Sequence, residues 1–266
     1  MKNKISIFYD HIVSMAEQKN ISIKEAAKTV RTMGVEYVDL NSRFLLSDYS
    51  QTMNILDDSG LKIGCICHEC NLNKEGDYDK EYQIIDISND LEVKEVLILP
   101  GLLSDDIKDN QIHKMIQGIN ILCKYAQDKN VTVEIETFDN SMSPLSGEGV
   151  ILFLEQCESL KCVFDTGNFA FWDEDEMEYI QKLKNKVHHV HLKDRSMLQN
   201  KNEAPTISVS GRKLYPCAVG SGSIHIQEII DVLKTIGYEG IYSIEHYGAE
   251  DMYEYIEKSV TWLKSI

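Results

Sequence analysis

The chain has 266 residues, and its 27 Lys and Arg against 43 Asp and Glu give a formal net charge of −16 at pH 7. Hydrophobic residues make up 43% and charged residues 26% of the chain, which excludes a disordered or fibrous protein. Nucleic acids and anionic membranes bind clustered Lys and Arg, which this acidic composition does not offer. We therefore expect neither nucleic acid nor membrane as a partner.

The amino terminus and the cysteines indicate where the protein resides. The opening MKNKISIFYD turns polar too soon for a secretion signal, and no apolar run approaches the roughly 18–20 residues of a membrane span. The seven cysteines are odd in number and mostly lie in apolar runs, as reduced thiols do. These features predict a cytoplasmic protein.

Short aliphatic and β-branched runs recur along the chain and predict eight strands. Most of them lie roughly 25–40 residues apart, the spacing of one strand–helix unit, and the intervals carry helical periodicity. The predicted strands are Ile5–Phe8, Val35–Leu40, Leu61–Cys67, Glu95–Leu99, Val131–Thr137, Cys162–Phe164, Val187–Leu192 and Ile241–Glu245.

Two of the intervals show clear helix signals. Ser22 followed by Glu25 forms a capping box, and Gly34 offers the left-handed conformation in which helices often end. Later, apolar residues at i, i+3, i+4 and i+7 give one face of a helix that Gly237 closes. These residues are Ile226, Ile229, Ile230 and Leu233.

Alternating strands and helices predict parallel pairing with right-handed crossovers. An open doubly wound sheet usually carries a glycine-rich turn after its first strand, but Tyr9-Asp-His-Ile12 follows here. A closed barrel satisfies the pattern without sheet edges, and the chain length suits one. We predict an α/β fold, a (β/α)8 TIM barrel that forms a single domain over residues 1–266.

The segment from Ser196 to Gly222 lacks clear periodicity and contains Pro205 and Pro216. It follows the seventh predicted strand and would therefore lie at the barrel face where active sites form. Loops of this length in a compact domain are usually functional or disordered. We predict a lid over the pocket that contributes at least one polar group, with Arg212 as the first candidate.

Four consecutive predicted strands, the fifth to the eighth, carry a polar side chain at or just beyond the carboxyl end. These residues are Glu136, Asp165, His191 and Glu245. Each alone has a simpler explanation, such as a salt bridge, a helix cap or a hydrogen-bonded core histidine. Four in register favour a site for a divalent cation such as Mn²⁺, Mg²⁺ or Co²⁺, because three carboxylates gathered without a cation would repel one another.

Four stretches resemble the xylose isomerase-like barrel superfamily, in its sugar phosphate isomerase/epimerase group. They are Val131–Glu136, Phe164–Asn168, His189–Asp194 and Gly237–Glu245. The resemblance is specific for the fold and the metal site and poorly specific for the substrate. It implies one divalent metal ion, Mn²⁺ in preference to Mg²⁺, Co²⁺ or Zn²⁺, and a homo-oligomer is compatible with it. The implied metal ligands are Glu136, Asp165, His191 and Glu245.

The resemblance also implies an activity, the isomerisation or epimerisation of a ketose sugar or sugar phosphate. Glu136 and Glu245 would be catalytic, one removing a proton to give a metal-stabilised enediolate and the other returning a proton from the opposite face. Two alternatives stay open. One is a metal-dependent dehydratase or lyase acting on a keto-cyclitol or 3-keto sugar, and the other is a non-catalytic sugar-binding barrel.

Further residues are candidates for substrate binding. His68 lies just past the third predicted strand, where related epimerases place a histidine that faces the substrate. Asn168 stands where many sugar epimerases of the group have histidine, and we expect it to bind substrate hydroxyls. Lys193 and Arg195 could hold a carboxylate or phosphate, although we expect Lys193 to point out of the barrel. Arg212 completes the set. A zinc site at Cys67-x-x-Cys70 is disfavoured, because no second Cys/His pair lies nearby.

Overall fold

The computed structural model describes residues 3–73, 76–104 and 108–266. The strands within these residues, in chain order, are β1 (Lys4–Phe8), β2 (Tyr37–Asn41), β3 (Lys62–Glu69), β4 (Glu95–Leu99), β5 (Thr132–Ile135), β6 (Lys161–Asp165), β7 (Val187–Lys193), β8 (Arg195–Ser196), β9 (Thr206–Ile207), β10 (Lys213–Pro216) and β11 (Ile241–Glu245). Eight of them, β1–β7 and β11, pair in parallel and close into a barrel in which β1 contacts β2 and β11. The predicted (β/α)8 barrel is confirmed.

Helices surround the barrel and connect its strands. They are α1 (Tyr9–Lys19), α2 (Ile23–Met33), α3 (Ser42–Ser59), α4 (Asp79–Asp90), α5 (Lys108–Gln127), α6 (Gly147–Gln156), α7 (Asn168–Phe171), α8 (Glu176–Leu183), α9 (Ile226–Thr235) and α10 (Met252–Ser265). Helix α3 contains a kink at Asp48, where the backbone leaves the helical region. Among the described residues, no helix is long and apolar enough to cross a membrane.

The predicted helix ends are found in the structure. The Ser22 hydroxyl accepts a hydrogen bond from the Glu25 N–H at 3.1 Å, and α2 ends at Gly34, whose φ is 106°. A left-handed φ of this kind favours glycine because it lacks a Cβ. The four apolar residues that predict α9 are all buried.

The two faces of the barrel strands differ in polarity. On β1 and β2, Ile7 and Val38 join the main hydrophobic core between barrel and helices, whereas Ser6 and Asp39 lie inside the barrel. The same alternation on β7 sends Val190 outward, since side chains point to opposite faces with a period of two. Apolar packing inside the barrel is small. It consists of Phe8, Cys65, Cys67, Leu97 and Val163.

The predicted lid segment is partly ordered into a small antiparallel sheet. Strands β8, β10 and β9 lie side by side in that order, with Ser196 opposite Tyr215 and Ile207 opposite Lys213. The ends of the segment meet, because the Ser223 N–H donates to the Arg195 carbonyl at 2.8 Å. The segment is therefore an excursion that leaves the barrel after β7 and returns to nearly the same point before α9.

Candidate metal centre and active site

The fold brings the four predicted metal ligands together at the carboxyl end of the barrel. Asp165 and Glu245 are the last residues of β6 and β11, His191 lies near the end of β7, and Glu136 directly follows β5. One ligand atom from each of the four lies within 4.8 Å of those of the other three. All four side chains are buried, so their charges interact at short range in a medium that screens them poorly.

The donor atoms of this cluster fit a divalent cation. Asp165 Oδ1 accepts the N–H groups of Gly167 and Asn168, each at 2.8 Å, which fixes the carboxylate. The buried Asp165 Oδ2 and Glu245 Oε2 have no hydrogen-bond partner, although Lys193 Nζ lies 3.3 Å from the former. Burial raises the pKa of Asp165 to about 7. A cation would satisfy both oxygens and offset the cost of burying the charge.

His191 presents Nδ1 to the same cluster. This nitrogen lies 2.8 Å from Glu136 Oε2 and 3.6 Å from Glu245 Oε2. Burial alone would lower the pKa of His191, but the carboxylates of Glu136 and Asp39 outweigh it and hold that pKa well above its ordinary value. Burial raises the pKa of Glu136, against the attraction of His191.

A pocket of about 330 Å³ opens above the cluster. This volume lies at the lower end of the range for small-molecule sites. Asp165 and His191 are not among the residues that line the pocket and lie beneath its floor. The sequence-predicted residues that do line it are His68, Glu136, Asn168, Lys193, Arg195 and Glu245.

Lys193 points into the barrel, so the expectation that it points outward was wrong. Its Nζ lies 2.6 Å from Glu245 Oε1 and donates to Asn168 Oδ1 at 2.8 Å. The period of two on a strand places Lys193 on the same face as His191. The side chain therefore brings a positive charge to the edge of the candidate metal centre.

Arg195 lines the pocket beside an acid that the sequence reasoning missed. Its Nη2 donates to Asp139 Oδ2 at 2.7 Å, and Nη1 lies 3.4 Å from Thr206 Oγ1. Burial would raise the pKa of Asp139, but Lys193 and Arg195 outweigh it and lower that pKa. Asp139 lies three residues beyond Glu136 in an irregular segment, where no periodicity marks a functional side chain.

His68 and Asn168 both reach the pocket but differ in what they can offer a ligand. His68 Nδ1 lies 2.7 Å from Ser42 Oγ, whereas the buried Nε2 has no hydrogen-bond partner. The Asn168 amide is already engaged, because it donates to the Thr137 carbonyl at 2.6 Å and accepts from Lys193. Asn168 is thus better placed to fix Lys193 than to bind a hydroxyl through a free group.

Arg212 lies away from the pocket, contrary to its predicted role. Its Nε donates to Asp173 Oδ1 at 2.6 Å, its Nη2 donates to the Ala170 carbonyl at 3.1 Å, and 45% of the side chain is exposed. The turn between β9 and β10 directs it toward the segment that follows α7. The excursion contributes Thr206 to the pocket lining instead.

Other pocket residues were not singled out from the sequence. Asp10, Asn41 and Tyr247 line the pocket together with Phe8 and Arg43. They lie at or just past the ends of β1, β2 and β11, at the same barrel face as the four-residue cluster.

Further titratable groups lie outside the four-residue cluster. Within the described part of the chain, Cys70 is grouped with His68 and Glu81 rather than with Cys67. Toward the opposite end of the barrel, Glu134 Oε1 lies 2.6 Å from His188 Nδ1, and Glu95 completes that group.

Comparison with known proteins gives one family and several relatives. The sequence model of the family described as xylose isomerase-like TIM barrel matches residues 27–266. An inosose dehydratase from Geobacillus thermodenitrificans is 28% identical over 141 residues, which cover 49% of this chain and 45% of the relative. The chain thus spans about half the length of the curated relatives it matches.

Solved structures share the fold at low sequence identity. D-allulose 3-epimerase from Methylomonas sp. in complex with D-allulose superposes with a TM-score of 0.74 at 13% identity, covering 99% of this chain and 97% of the other. A xylose isomerase-like TIM barrel protein from Mycobacterium smegmatis in complex with magnesium has a TM-score of 0.70 at 15% identity, covering 91% and 87%. At such identities the likeness concerns the fold alone.

Proposed function

Because the chain belongs to the xylose isomerase-like TIM barrel family, we propose that it is a divalent-metal-dependent isomerase or epimerase of a ketose sugar or sugar phosphate. The observation that carries the proposal is the convergence of three buried carboxylates and one imidazole beneath a polar pocket. These residues are Glu136, Asp165, His191 and Glu245.

In this proposal the same four residues hold one divalent metal ion. Carboxylate oxygens with a single imidazole suit Mn²⁺ best, with Mg²⁺, Co²⁺ or Zn²⁺ as alternatives. When bound, such an ion acts as a Lewis acid toward the substrate carbonyl. The magnesium-bound structure of a relative agrees with a divalent ion on this fold.

Glu136 and Glu245 are the proposed acid and base. Both carboxylates border the pocket, whereas Asp165 and His191 lie below it. One glutamate removes the proton from the carbon next to the carbonyl, and the other delivers a proton to the opposite face, which inverts that carbon. Delivery to the neighbouring carbon instead interconverts a ketose and an aldose.

The remaining polar groups would bind and orient the sugar. Lys193 and Arg195 supply positive charge that can hold hydroxyls, a carboxylate or a phosphate. His68 offers Nε2, which has no hydrogen bond and lies 3.7 Å from Glu81 Oε1. The size of the pocket and the D-allulose complex of a structural relative support a small sugar as the substrate.

The curated relatives favour a second candidate, a dehydratase acting on a cyclic ketose. Inosose dehydratases align with about half of this chain. Dehydration begins with the same proton abstraction beside a carbonyl but continues with loss of a neighbouring hydroxyl group, which leaves as water once it is protonated. The two reactions therefore share the four-residue cluster and differ in the product.

One experiment tests both candidates. The protein is incubated in D₂O with Mn²⁺ and a panel of ketoses, ketose phosphates and inosose, and the products are examined by NMR and mass spectrometry. Incorporation of deuterium at one carbon without loss of water supports the isomerase or epimerase. A product that lacks one water, as read by mass spectrometry after its exchangeable deuterons have been returned to H₂O, supports the dehydratase. An absence of both reactions over the whole panel, with wild-type protein that binds Mn²⁺, contradicts the proposal. The same incubation with a chelator in place of Mn²⁺ is the control for exchange that does not need the metal.

A further inference from the structure

A connected set of acids and imidazoles, all buried except the partly exposed Glu95, runs through the barrel interior beneath the proposed metal centre. Glu95 Oε2 lies 2.7 Å from His189 Nδ1, and His189 Nε2 lies 2.8 Å from Asp39 Oδ2. The same Asp39 oxygen lies 3.2 Å from His191 Nε2. Asp39, on β2, thus connects this interior set to a proposed metal ligand on β7.

The surroundings of Asp39 hold its carboxylate in one orientation. The side chain is fully buried, and Oδ1 accepts a hydrogen bond from the Ser6 hydroxyl at 2.7 Å. A Cβ at Gly64 would lie 3.3 Å from the same oxygen, so the glycine leaves room for the carboxylate. Oδ2 is thereby directed toward the two imidazoles of His189 and His191.

The two nitrogens of His191 have different tasks. Nδ1 faces Glu136 and Glu245, so it is the nitrogen that would bind the metal. A ring nitrogen binds a metal only through its free electron pair, which places the single proton of the neutral imidazole on Nε2. That proton needs an acceptor in the buried interior. Asp39 Oδ2, at 3.2 Å, is the carboxylate oxygen in reach of that proton, although Nε2 makes no hydrogen bond in this structure.

We propose that Asp39 is a positioning residue that fixes His191 in the tautomer with Nε2 protonated and Nδ1 free for the metal. The inference rests on the proposed function, since it requires a metal at the four-residue cluster. Carboxylates that accept from the second nitrogen of a metal-bound histidine fix its ring and raise its basicity, and losing such a group typically lowers metal affinity about 10–100-fold. His189, held by Glu95, keeps Asp39 from turning away.

Metal affinity tests this role without measuring turnover. Mn²⁺ is titrated into wild type, Asp39→Asn and Glu134→Gln, and the free ion is followed by electron paramagnetic resonance. Glu134→Gln is the matched control, because it also converts a buried carboxylate inside the barrel to an amide but contacts His188 instead. We expect the dissociation constant to rise about 10–100-fold in Asp39→Asn and to stay within about twofold in the control.

Unchanged affinity in a folded Asp39→Asn protein would overturn the positioning role and leave the proposed metal centre intact. Equal losses of Mn²⁺ affinity in both variants would also overturn it, because the effect would then come from removing any negative charge inside the barrel and not from the contact with His191. If wild type itself binds no Mn²⁺ or Zn²⁺, the metal centre of the proposed function fails and the positioning role fails with it.

A second measurement needs no variant. In wild type saturated with Zn²⁺, the ¹⁵N spectrum of the histidines reports which ring nitrogen carries the proton. We expect His191 Nε2 to be protonated and Nδ1 to be metal-bound. A deprotonated Nε2 would contradict the proposal even if Asp39→Asn failed to fold.

Discussion

Glu136 and Glu245 have a proposed role that Asp165 and His191 do not share, since only the two glutamates transfer protons. Replacing either glutamate by Gln keeps an oxygen near the metal but removes the exchangeable carboxyl group. General acid–base catalysis contributes about 10²–10⁴-fold, so we expect turnover to fall by at least about two decades. Excess Mn²⁺ should not restore it. Steady-state rates on the substrate that the deuterium screen identifies will measure the loss.

The matched variant for this comparison is Asp165→Asn. It removes a proposed ligand but no acid or base, so high Mn²⁺ should restore part of its activity. In an epimerase, a variant that keeps one of the two glutamates can still exchange the substrate proton from a single face without inverting the carbon. Such exchange assigns that face to the glutamate that remains. Near-normal turnover in both glutamine variants would contradict the two-glutamate mechanism, even with the metal site intact.

Arg195 and Arg212 form a second matched pair, one inside the pocket and one outside. Arg195 is 5% exposed and bonds Asp139 at the pocket wall, whereas the Arg212 side chain is 45% exposed. Hydrogen bonds to charged groups contribute about 1.5–3 kcal/mol, so Arg195→Ala should lower kcat/KM by roughly 10–100-fold. Arg212→Ala should stay within about twofold of wild type, because its partly exposed ion pair with Asp173 lies outside the pocket. The opposite ranking would restore the role that the sequence suggested for Arg212.

At the scale of elements, Asp194 holds both ends of the excursion that contains β8–β10. Its Oδ2 accepts the N–H groups of Gly220 and Gly222 at 3.0 and 2.8 Å, and its Oδ1 accepts those of Arg195 and Ile224 at 2.8 and 3.3 Å. A Cβ at Gly222 would lie 2.1 Å from Oδ1, so this approach requires glycine. One buried carboxylate thus satisfies four backbone groups.

Replacing Asp194 by Asn should therefore destabilise the protein strongly. The NH₂ group of the Asn side chain would face backbone N–H groups, which are also donors, so some of the four hydrogen bonds would be lost. We therefore expect the free energy of unfolding to fall by about 2–4 kcal/mol. Denaturant titration measures this loss. Asp251→Asn is the control, because Asp251 caps α10 through one N–H, that of Glu254, and should lose no more than about 1 kcal/mol. Equal losses of unfolding free energy in the two variants would show that the four hydrogen bonds to Asp194 stabilise the protein no more than a single helix cap does.

The junction of α8 and α9 gives a pH-dependent prediction. His225 Nδ1 lies 2.7 Å from Glu176 Oε1, and this hydrogen bond raises the pKa of His225. Because the pKa is higher in the folded state, the stabilisation is fully present below the unfolded value of about 6.5 and is lost as pH rises through the folded value. His225→Asn should cost less than about 1 kcal/mol at pH 5.5, since the site is exposed, and still less at pH 8.5.

Unfolding of both proteins at the two pH values checks this sign. His113→Asn is the control, because His113 contacts the Gln117 amide rather than a carboxylate. If the difference in unfolding free energy between wild type and His225→Asn grows with pH, protonated His225 is not stabilised by Glu176 as proposed.

The strands and the proposed metal cluster were predictable from the sequence for one physical reason. Parallel strands of a barrel end at the same rim, so Glu136, Asp165, His191 and Glu245 had to meet once the strands were identified. The conformation of segments between strands depends instead on tertiary contacts that no local pattern encodes. Asp139 and the antiparallel pairing that directs Arg212 away from the pocket were therefore missed.

Lys193 was misjudged for a different reason. The alternation of side chains along β7 requires it to share the inner face with His191, and its inward position follows from that rule alone. Asp39 shows a further limit of sequence reasoning. A single aspartate in an aliphatic strand gives no sign that its partners, His189 and His191, lie about 150 residues away in the chain.

At the scale of the whole molecule, a metal ion would connect four strands that otherwise carry mutually repelling groups. A ligand that binds only the folded state adds about 2.7 kcal/mol when present at 100 times its dissociation constant. For a chain of this size, that corresponds to a rise in Tm of roughly 5–10 °C. We expect Mn²⁺ to produce this rise and a chelator to reverse it, as measured by scanning calorimetry.

Asp165→Asn should show a much smaller metal-dependent rise in Tm, whereas Asp251→Asn, which changes the cap of α10 and none of the four proposed ligands, should keep the full rise. A rise that is equal in wild type and Asp165→Asn would mean that the stabilising ion binds elsewhere.

The excursion between Asp194 and Ser223 begins and ends at nearly the same point. Another segment can therefore replace it, and with it part of the pocket wall. The two ends of the segment meet where the Ser223 N–H donates to the Arg195 carbonyl. The length of the segment therefore has little effect on the positions of β7 and α9. Loop closure costs only about 0.6 kcal/mol more for each doubling of length, so grafts of quite different sizes are tolerated thermodynamically. A graft would replace Thr206 but leave the strand ends that form the floor. In the proposed isomerase or epimerase, one wall of the pocket and the four-residue cluster thus lie in separate stretches of chain, so the wall can diversify while the cluster is retained.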